Sequence, residues 1–221
     1  MSLPSVRPLL LAVSNRHLFA SDDVSALAYL VEWSGRVARA GIDLLQIRER
    51  GLDDVVLVRV VRDVLAATRG TNCRVLVNDR LDVALMTGAH GVHLRGDSMP
   101  ASRVRAIAPA GFLIGRSVHG VDEAARVSDE GGLDYLLFGS VFSTASKPGV
   151  APAGVGVLTE VVESTTLPVL AVGGITTNTA RGLAATGAAG LAAIGMFADA
   201  GPVMTTTLER IVRGFYGDGS G

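Results

Sequence analysis

Short apolar runs alternate with longer stretches of helical period along nearly the whole chain. Runs at Leu9–Val13, Leu44–Ile47, Arg74–Asn78, 91–93, 113–117, 135–139, Val169–Val172 and 190–194 read as strands. Between them apolar residues recur at three- and four-residue spacing. Asp23–Ala40 places Val24, Leu27, Leu30, Val31 and Val37 at that spacing, and 53–69 does the same with Val56, Leu57, Val60, Val61, Val64 and Leu65. The remaining helical connectors are expected at 80–87, 100–108, 121–130, Gly154–Glu163, 179–186 and 202–215.

Start signals agree. Asp53 and the run Thr176 to Thr179 are capping types, and Pro100 and Pro202 suit a first helical turn. Gly41, Gly88 and Gly187 stand where a left-handed helix end is needed. The phrases Ala40-Gly41-Ile42-Asp43, Gly131-Gly132-Leu133-Asp134 and Gly187-Ala188-Ala189-Gly190 mark repeated helix-to-strand turns. Strands without polar alternation suit a parallel sheet covered by helices. Eight βα units in 221 residues favour closure into one α/β domain, a (β/α)8 TIM barrel over residues 1–221, with 214–221 as a glycine-rich tail. An open doubly wound sheet is the weaker use of the same pattern.

Composition narrows the function. The formal charge is -1 with no basic block, which argues against nucleic acid as a partner. The apolar stretch at 8–13 is too short for a membrane span or a signal segment, so a cytoplasmic protein is expected, with homo-oligomerisation left open. One cysteine, Cys73, excludes a disulfide framework and a cysteine zinc cage. Lysine and arginine total 20, and Lys147 is the only lysine, so any Schiff-base chemistry would have to use it.

Catalytic groups of such barrels gather at the C-terminal ends of the strands, and polar residues cluster there. Gly173 and Gly174, with Gly195, suit a phosphate because backbone N–H groups can approach an anion, although the same glycines also suit tight turns. Thr144, Ser146 and Lys147 on the preceding loop add hydroxyls and an ammonium. Arg48 and Arg50, two apart after the second strand, suit a carboxylate or pyrophosphate, unless Glu49 pairs with one of them. Gln46 and Asn78 offer amide groups to a heterocycle. Asp79 suits either magnesium or an arginine. His119, two residues beyond Ser117, is placed for acid–base work, while His93 in an apolar strand reads as structural and Cys73 as a buried spectator. Paired glycosidase carboxylates, a histidine metal cluster and a nucleophile elbow are not found.

Six segments in order then resemble the thiamine-phosphate synthase and thiazole tautomerase superfamily. They are Gln46 to Arg50, Val77 to Arg80 with Asp82, Gly91 to Leu94, Ile114 to His119, Phe138 to Lys147, and Gly173 to Ile175. The synthase branch joins a hydroxymethylpyrimidine pyrophosphate to a thiazole phosphate with magnesium and releases pyrophosphate. That resemblance implies Gln46, Arg48, Asn78 and Ser117 at the pyrimidine pyrophosphate and Asp79 at the metal. It puts Thr144, Ser146, Lys147, Gly174 and the Ile194–Gly195 backbone at the thiazole phosphate.

The chain departs from that branch at Arg50, at Arg95-Gly96, and at Ser98, where a second metal carboxylate is expected and Asp97 stands one residue early. The tautomerase branch looks closer on Arg48-Glu49-Arg50, Asp97 to Pro100 and Gly115 to His119. Those enzymes aromatise a thiazole carboxylate phosphate without a cofactor. There His119 would move the proton, Arg48 or Arg50 would hold the carboxylate, and Lys147 with Gly173, Gly174 and Gly195 the phosphate. The expectation is therefore a thiamine-pathway enzyme binding a phosphorylated thiazole, with tautomerase ahead of synthase and a non-catalytic binder third.

Overall fold

The apolar runs become eight parallel strands closed into a barrel. A computed structural model describes residues 8–144, 149–198 and 204–216. The strands are β1 Leu9–Val13, β2 Leu44–Ile47, β3 Arg74–Asn78, β4 Gly91–Leu94, β5 Leu113–Val118, β6 Tyr135–Phe138, β7 Val169–Val172 and β8 Gly190–Ala193. Each pairs with the next in parallel, and β8 returns to β1 in the register Leu9–Gly190 to Ala12–Ala193. The helices are α1 Asp23–Ala40, α2 Asp54–Ala67, α3 Leu81–Thr87, α4 Ala101–Ile107, α5 Val121–Asp129, α6 Gly154–Glu163 and α7 Met204–Phe215. The fold is a (β/α)8 barrel.

Two apolar clusters follow from the period-two alternation of the strands. Leu9, Leu11, Val13, Leu44, Leu76, Leu113, Tyr135, Leu137, Leu170 and Ala192 form the barrel interior. Their strand neighbours, among them Leu10, Leu45, Val75, Val92, Ile114, Leu136 and Leu191, join the buried faces of the helices. The repeated Asp of the helix-to-strand turns has a defined task. Asp43 accepts from the Leu10 N–H at 2.9 Å and Asp134 from the Ile114 N–H at 2.7 Å, so each fixes the start of the strand before its own. The Trp33 indole N–H donates to the Phe197 carbonyl at 2.6 Å and ties α1 to the segment after β8.

Gly41, Gly88 and Gly187 all take the left-handed conformation expected of them. Other expectations need correction. Asp53 is the N-cap of α2 but makes no side-chain capping bond, and Pro100 is itself the N-cap of α4 rather than its first residue. The helix expected over 179–186 is only a 3-10 turn, Leu183–Thr186. Thr176 and Thr179 bond each other's backbone and hydroxyls there, local bonds that compete with a helix. The supposed tail begins too early, because Gly214 and Phe215 are buried in α7. Pro202 lies outside the described residues.

Candidate active site at the barrel mouth

Polar side chains replace apolar ones at the last inward-facing positions of β2 to β5. Gln46 is buried at the end of β2, and its Nε2 donates to Asn78 Oδ1 on β3 at 2.7 Å. The bond uses the donor end of Gln46 and leaves Oε1 buried with no partner among the described residues. Two residues on, the guanidinium of Arg48 is half-buried and makes no hydrogen bond or ion pair among the described residues. Burial, and then the charge of Arg50, lower its pKa. A buried acceptor without a donor and a half-buried cation without an anion are each costly unless a ligand completes them.

Glu49 does not serve either arginine beside it. It is buried on the opposite face, where it accepts from the Ser14 hydroxyl at 2.5 Å and lies 3.3 Å from Arg16 Nη1. Arg50 is exposed, and its carbonyl accepts from Arg16 at 3.1 Å.

The segment Gly115-Arg116-Ser117-Val118-His119 resolves into four separate tasks. In the sheet, His93, Gly115 and Tyr135 stand in one row across β4, β5 and β6. A Cβ at Gly115 would lie 2.0 Å from Tyr135 Cζ, so the missing side chain is what lets the phenol reach across to His93. His93 Nδ1 is 2.9 Å from the Tyr135 hydroxyl, and Nε2 is 2.9 Å from Ser117 Oγ. Burial, and then the nearby Arg48, push the His93 pKa down to about 3.

Arg116 is buried and donates to the carbonyls of Gly96, Ser98 and Met99 at 2.8 to 3.0 Å, which clamps the loop after β4. His119 sits at the exposed rim. Its backbone N–H donates to Glu123 Oε2 at 2.7 Å, and its Nδ1 is 3.6 Å from the same oxygen.

The clamped loop faces Asp79, whose backbone is left-handed with φ 55°. The Ser98 hydroxyl donates to Asp79 Oδ1, and Arg95 Nη1 lies 3.5 Å from Asp79 Oδ2. Arg95 also holds Asp97, with Nε donating at 2.9 Å. Neighbouring Arg80 is turned outward to Asp82 and Asp54.

On the other side of the mouth, Gly173 and Gly174 have φ of +97° and +66°. A Cβ on Gly173 would lie 2.6 Å from the Ser140 Cα, and one on Gly174 2.3 Å from the Ser143 carbonyl, so both are needed where the β6 and β7 loops touch. The end of β8 runs through Ile194 into a 3-10 turn at Gly195–Phe197, and nothing stands within 4 Å of where a Gly195 Cβ would be. Thr144, in the β6 loop, is described, while Ser146 and Lys147 lie outside the described residues.

Residues 13–197 match the family model described as thiamine monophosphate synthase. The chain belongs to that family. A thiamine-phosphate synthase of Coprothermobacter proteolyticus is 41% identical over 157 residues, covering 70% of this chain and 72% of that one. One from Methanoculleus marisnigri is 38% identical over 177 residues, 80% of this chain and 82% of its own. The solved structure of thiamine phosphate pyrophosphorylase from Pyrococcus furiosus superposes with a TM-score of 0.78 at 31% identity, over 94% of this chain and 96% of that chain. A 3-hexulose-6-phosphate synthase at 17% identity and TM-score 0.67 shares the fold alone.

Within the thiamine monophosphate synthase family the tautomerase expectation finds no named relative among these, and the synthase alternative is the better supported. The resemblance implies magnesium at Asp79, with a second carboxylate expected near Asp97 and Ser98. Asp79 faces a hydroxyl and a guanidinium instead of a second carboxylate, and Asp97 is engaged by the same guanidinium. Among the described residues no three acidic, histidine or cysteine groups converge. A hard dication needs oxygen anions with no competing cation between them, so this set does not fit it. No described helix is long and apolar enough to cross a membrane.

Of the residues expected at the site, Gln46 and Asn78 bond each other, and Ser117 meets His93, the histidine that reads as structural. The Tyr135–His93–Ser117 chain and the Arg116 clamp carry no local signal in the sequence. Cys73 is a buried spectator as expected, its thiol pushed up to about 12 chiefly by burial.

Proposed function

We propose that the protein is a thiamine-phosphate synthase, joining a hydroxymethylpyrimidine pyrophosphate to a thiazole phosphate. The observation that carries the reading is the buried Gln46 Oε1, without a partner among the described residues, followed two residues on by Arg48, whose half-buried guanidinium makes no hydrogen bond or ion pair among them. An aminopyrimidine brings an N–H donor to the first, and its pyrophosphate brings anionic oxygens to the second. Relatives named thiamine-phosphate synthase support it independently.

In the reaction, the carbon–oxygen bond to pyrophosphate breaks with its electron pair leaving on oxygen. The thiazole nitrogen supplies the pair for the new carbon–nitrogen bond. Charge on the departing oxygens is met by Arg48, a guanidinium that forms parallel bonds to phosphate oxygens. Gln46 and Asn78 orient the ring. Thr144, Gly173, Gly174 and the Ile194–Gly195 backbone serve the thiazole phosphate, with Ser146 and Lys147 assigned to it on sequence alone.

The test is multiple-turnover release of pyrophosphate, matched mole for mole by thiamine phosphate, when both substrates are supplied. Neither product forming under any divalent-ion condition would refute the reading.

One observation favours a second reading, the tautomerase. Arg95 neutralises Asp79, which suits a proton transfer that needs no metal. Here His119 carries the proton and Arg48 or Arg50 the carboxylate. An ultraviolet change with thiazole carboxylate phosphate alone, lost in His119→Ala, would select it. Ligand-induced thermal stabilisation without turnover in either assay would leave a binder.

A further inference from the structure

The buried tyrosine behind the mouth has no task in the reaction above, yet it constrains the one hydroxyl in contact with it through a histidine. Tyr135 is fully buried among leucines of the barrel interior, and its hydroxyl has one hydrogen-bond partner among the described residues, His93 Nδ1. His93 in turn has two ring partners, Tyr135 and Ser117. The imidazole is neutral, because burial holds its pKa far below the usual value, so one ring nitrogen donates and the other accepts.

Two arrangements are conceivable, and they are not equivalent. If Nδ1 carried the proton, it would donate to the phenol, and the phenolic proton would be left inside the apolar interior with no acceptor. If Nε2 carries it, the phenol donates to Nδ1, Nε2–H donates to Ser117 Oγ, and both buried protons of the chain are used. The Ser117 hydroxyl then has its own proton left over and directed away from His93. Ser117 is only partly buried and has no other hydrogen-bond partner among the described residues.

We infer that Tyr135 is a positioning residue that, through His93, fixes Ser117 as a hydrogen-bond donor to whatever occupies the mouth. The group that Ser117 meets is therefore offered a proton, which favours an acceptor such as a ring nitrogen or a carboxylate oxygen over an N–H, for which only the second lone pair of the hydroxyl is left. Gln46 Oε1 imposes the opposite demand on the same mouth, because it needs a donor. Together they select a ligand with a donor and an acceptor, the pattern of an amino-substituted ring. This last step rests on the synthase reading; the polarity of the chain does not.

The experiment needs no substrate. Nitrogen-15 spectra of the histidine rings in the full chain, with His93 assigned by loss of its signals in His93→Asn, report which nitrogen holds the proton. The expected result is protonated Nε2 and bare Nδ1 across pH 6 to 8. A protonated Nδ1 or an imidazolium overturns the inference. In Tyr135→Phe the Nε2–H form should lose its dominance, and an unchanged spectrum overturns the role of the phenol. Binding of hydroxymethylpyrimidine pyrophosphate provides the second readout. Tyr135→Phe should weaken it about 5- to 20-fold, and should weaken it no further in a Ser117→Ala background. An equal loss in both backgrounds refutes action through Ser117. If neither protein binds the pyrimidine while the spectra hold, the synthase reading fails and the polarity stands. Should Tyr135→Phe not fold, the wild-type spectrum alone decides.

Discussion

Adding a single methyl at Gly115 tests the row that joins the barrel interior to the site. In Gly115→Ala the new Cβ would fall 2.0 Å from Tyr135 Cζ and 2.4 Å from its hydroxyl oxygen. Those positions are far inside van der Waals contact, and Tyr135 is fully buried, so the ring has nowhere to retreat. Overpacking of this kind costs about 1–3 kcal/mol. Displacing the phenol also strands the His93 nitrogen it serves, which costs about 1–3 kcal/mol more for a buried polar group left unpaired. The sum is roughly 2–6 kcal/mol, or a fall in Tm on the order of 10 °C for a chain of this size. Urea and thermal unfolding of the purified variant measure it. A companion variant sharpens the cause: in a Tyr135→Leu background the added methyl has room, and its cost should fall below about 1 kcal/mol. Unfolding of Gly115→Ala at the wild-type midpoint, or the same penalty in both backgrounds, would mean that the tyrosine does not depend on that gap.

Other outcomes follow from the same geometry. Arg48→Met should cut pyrophosphate affinity on the order of 10- to 100-fold, as loss of charged hydrogen bonds implies, with stability unchanged or raised because the half-buried guanidinium has no partner to lose among the described residues; calorimetric titration and melting curves read both. Arg95→Ala should bind magnesium or manganese more tightly than wild type, since it removes the cation lying on Asp79 and Asp97, and equal binding by the two proteins would show that Arg95 is not what keeps a dication from these carboxylates. Stability should fall as pH drops below the ordinary histidine value of 6.5, because the unfolded chain takes up a proton that folded His93 refuses until about pH 3. At pH 5 that amounts to about 2 kcal/mol relative to pH 7, and unfolding titrations of His93→Asn should lack that part of the slope.

The sequence by itself determined where strands and helices lie, because the period of apolar positions is a local property and each run carries its own signal. The strand ends marked out in this way carry Gln46, Asn78 and Ser117. Local chemistry misled at Thr176 and Thr179, whose hydroxyls bond within their own turn instead of opening a helix. Partner choice was decided only in the tertiary structure. Glu49 is adjacent to two arginines in sequence and bonds neither, because strand alternation turns it toward Ser14 and Arg16. Asp79 meets Arg95 and Ser98 because Arg116, on another strand, clamps their loop by three carbonyls. His93 reads as an ordinary core histidine until the register places Gly115 between it and Tyr135. Such contacts depend on which strands are neighbours and on a side chain that is absent, and neither is encoded within reach of the residues they join.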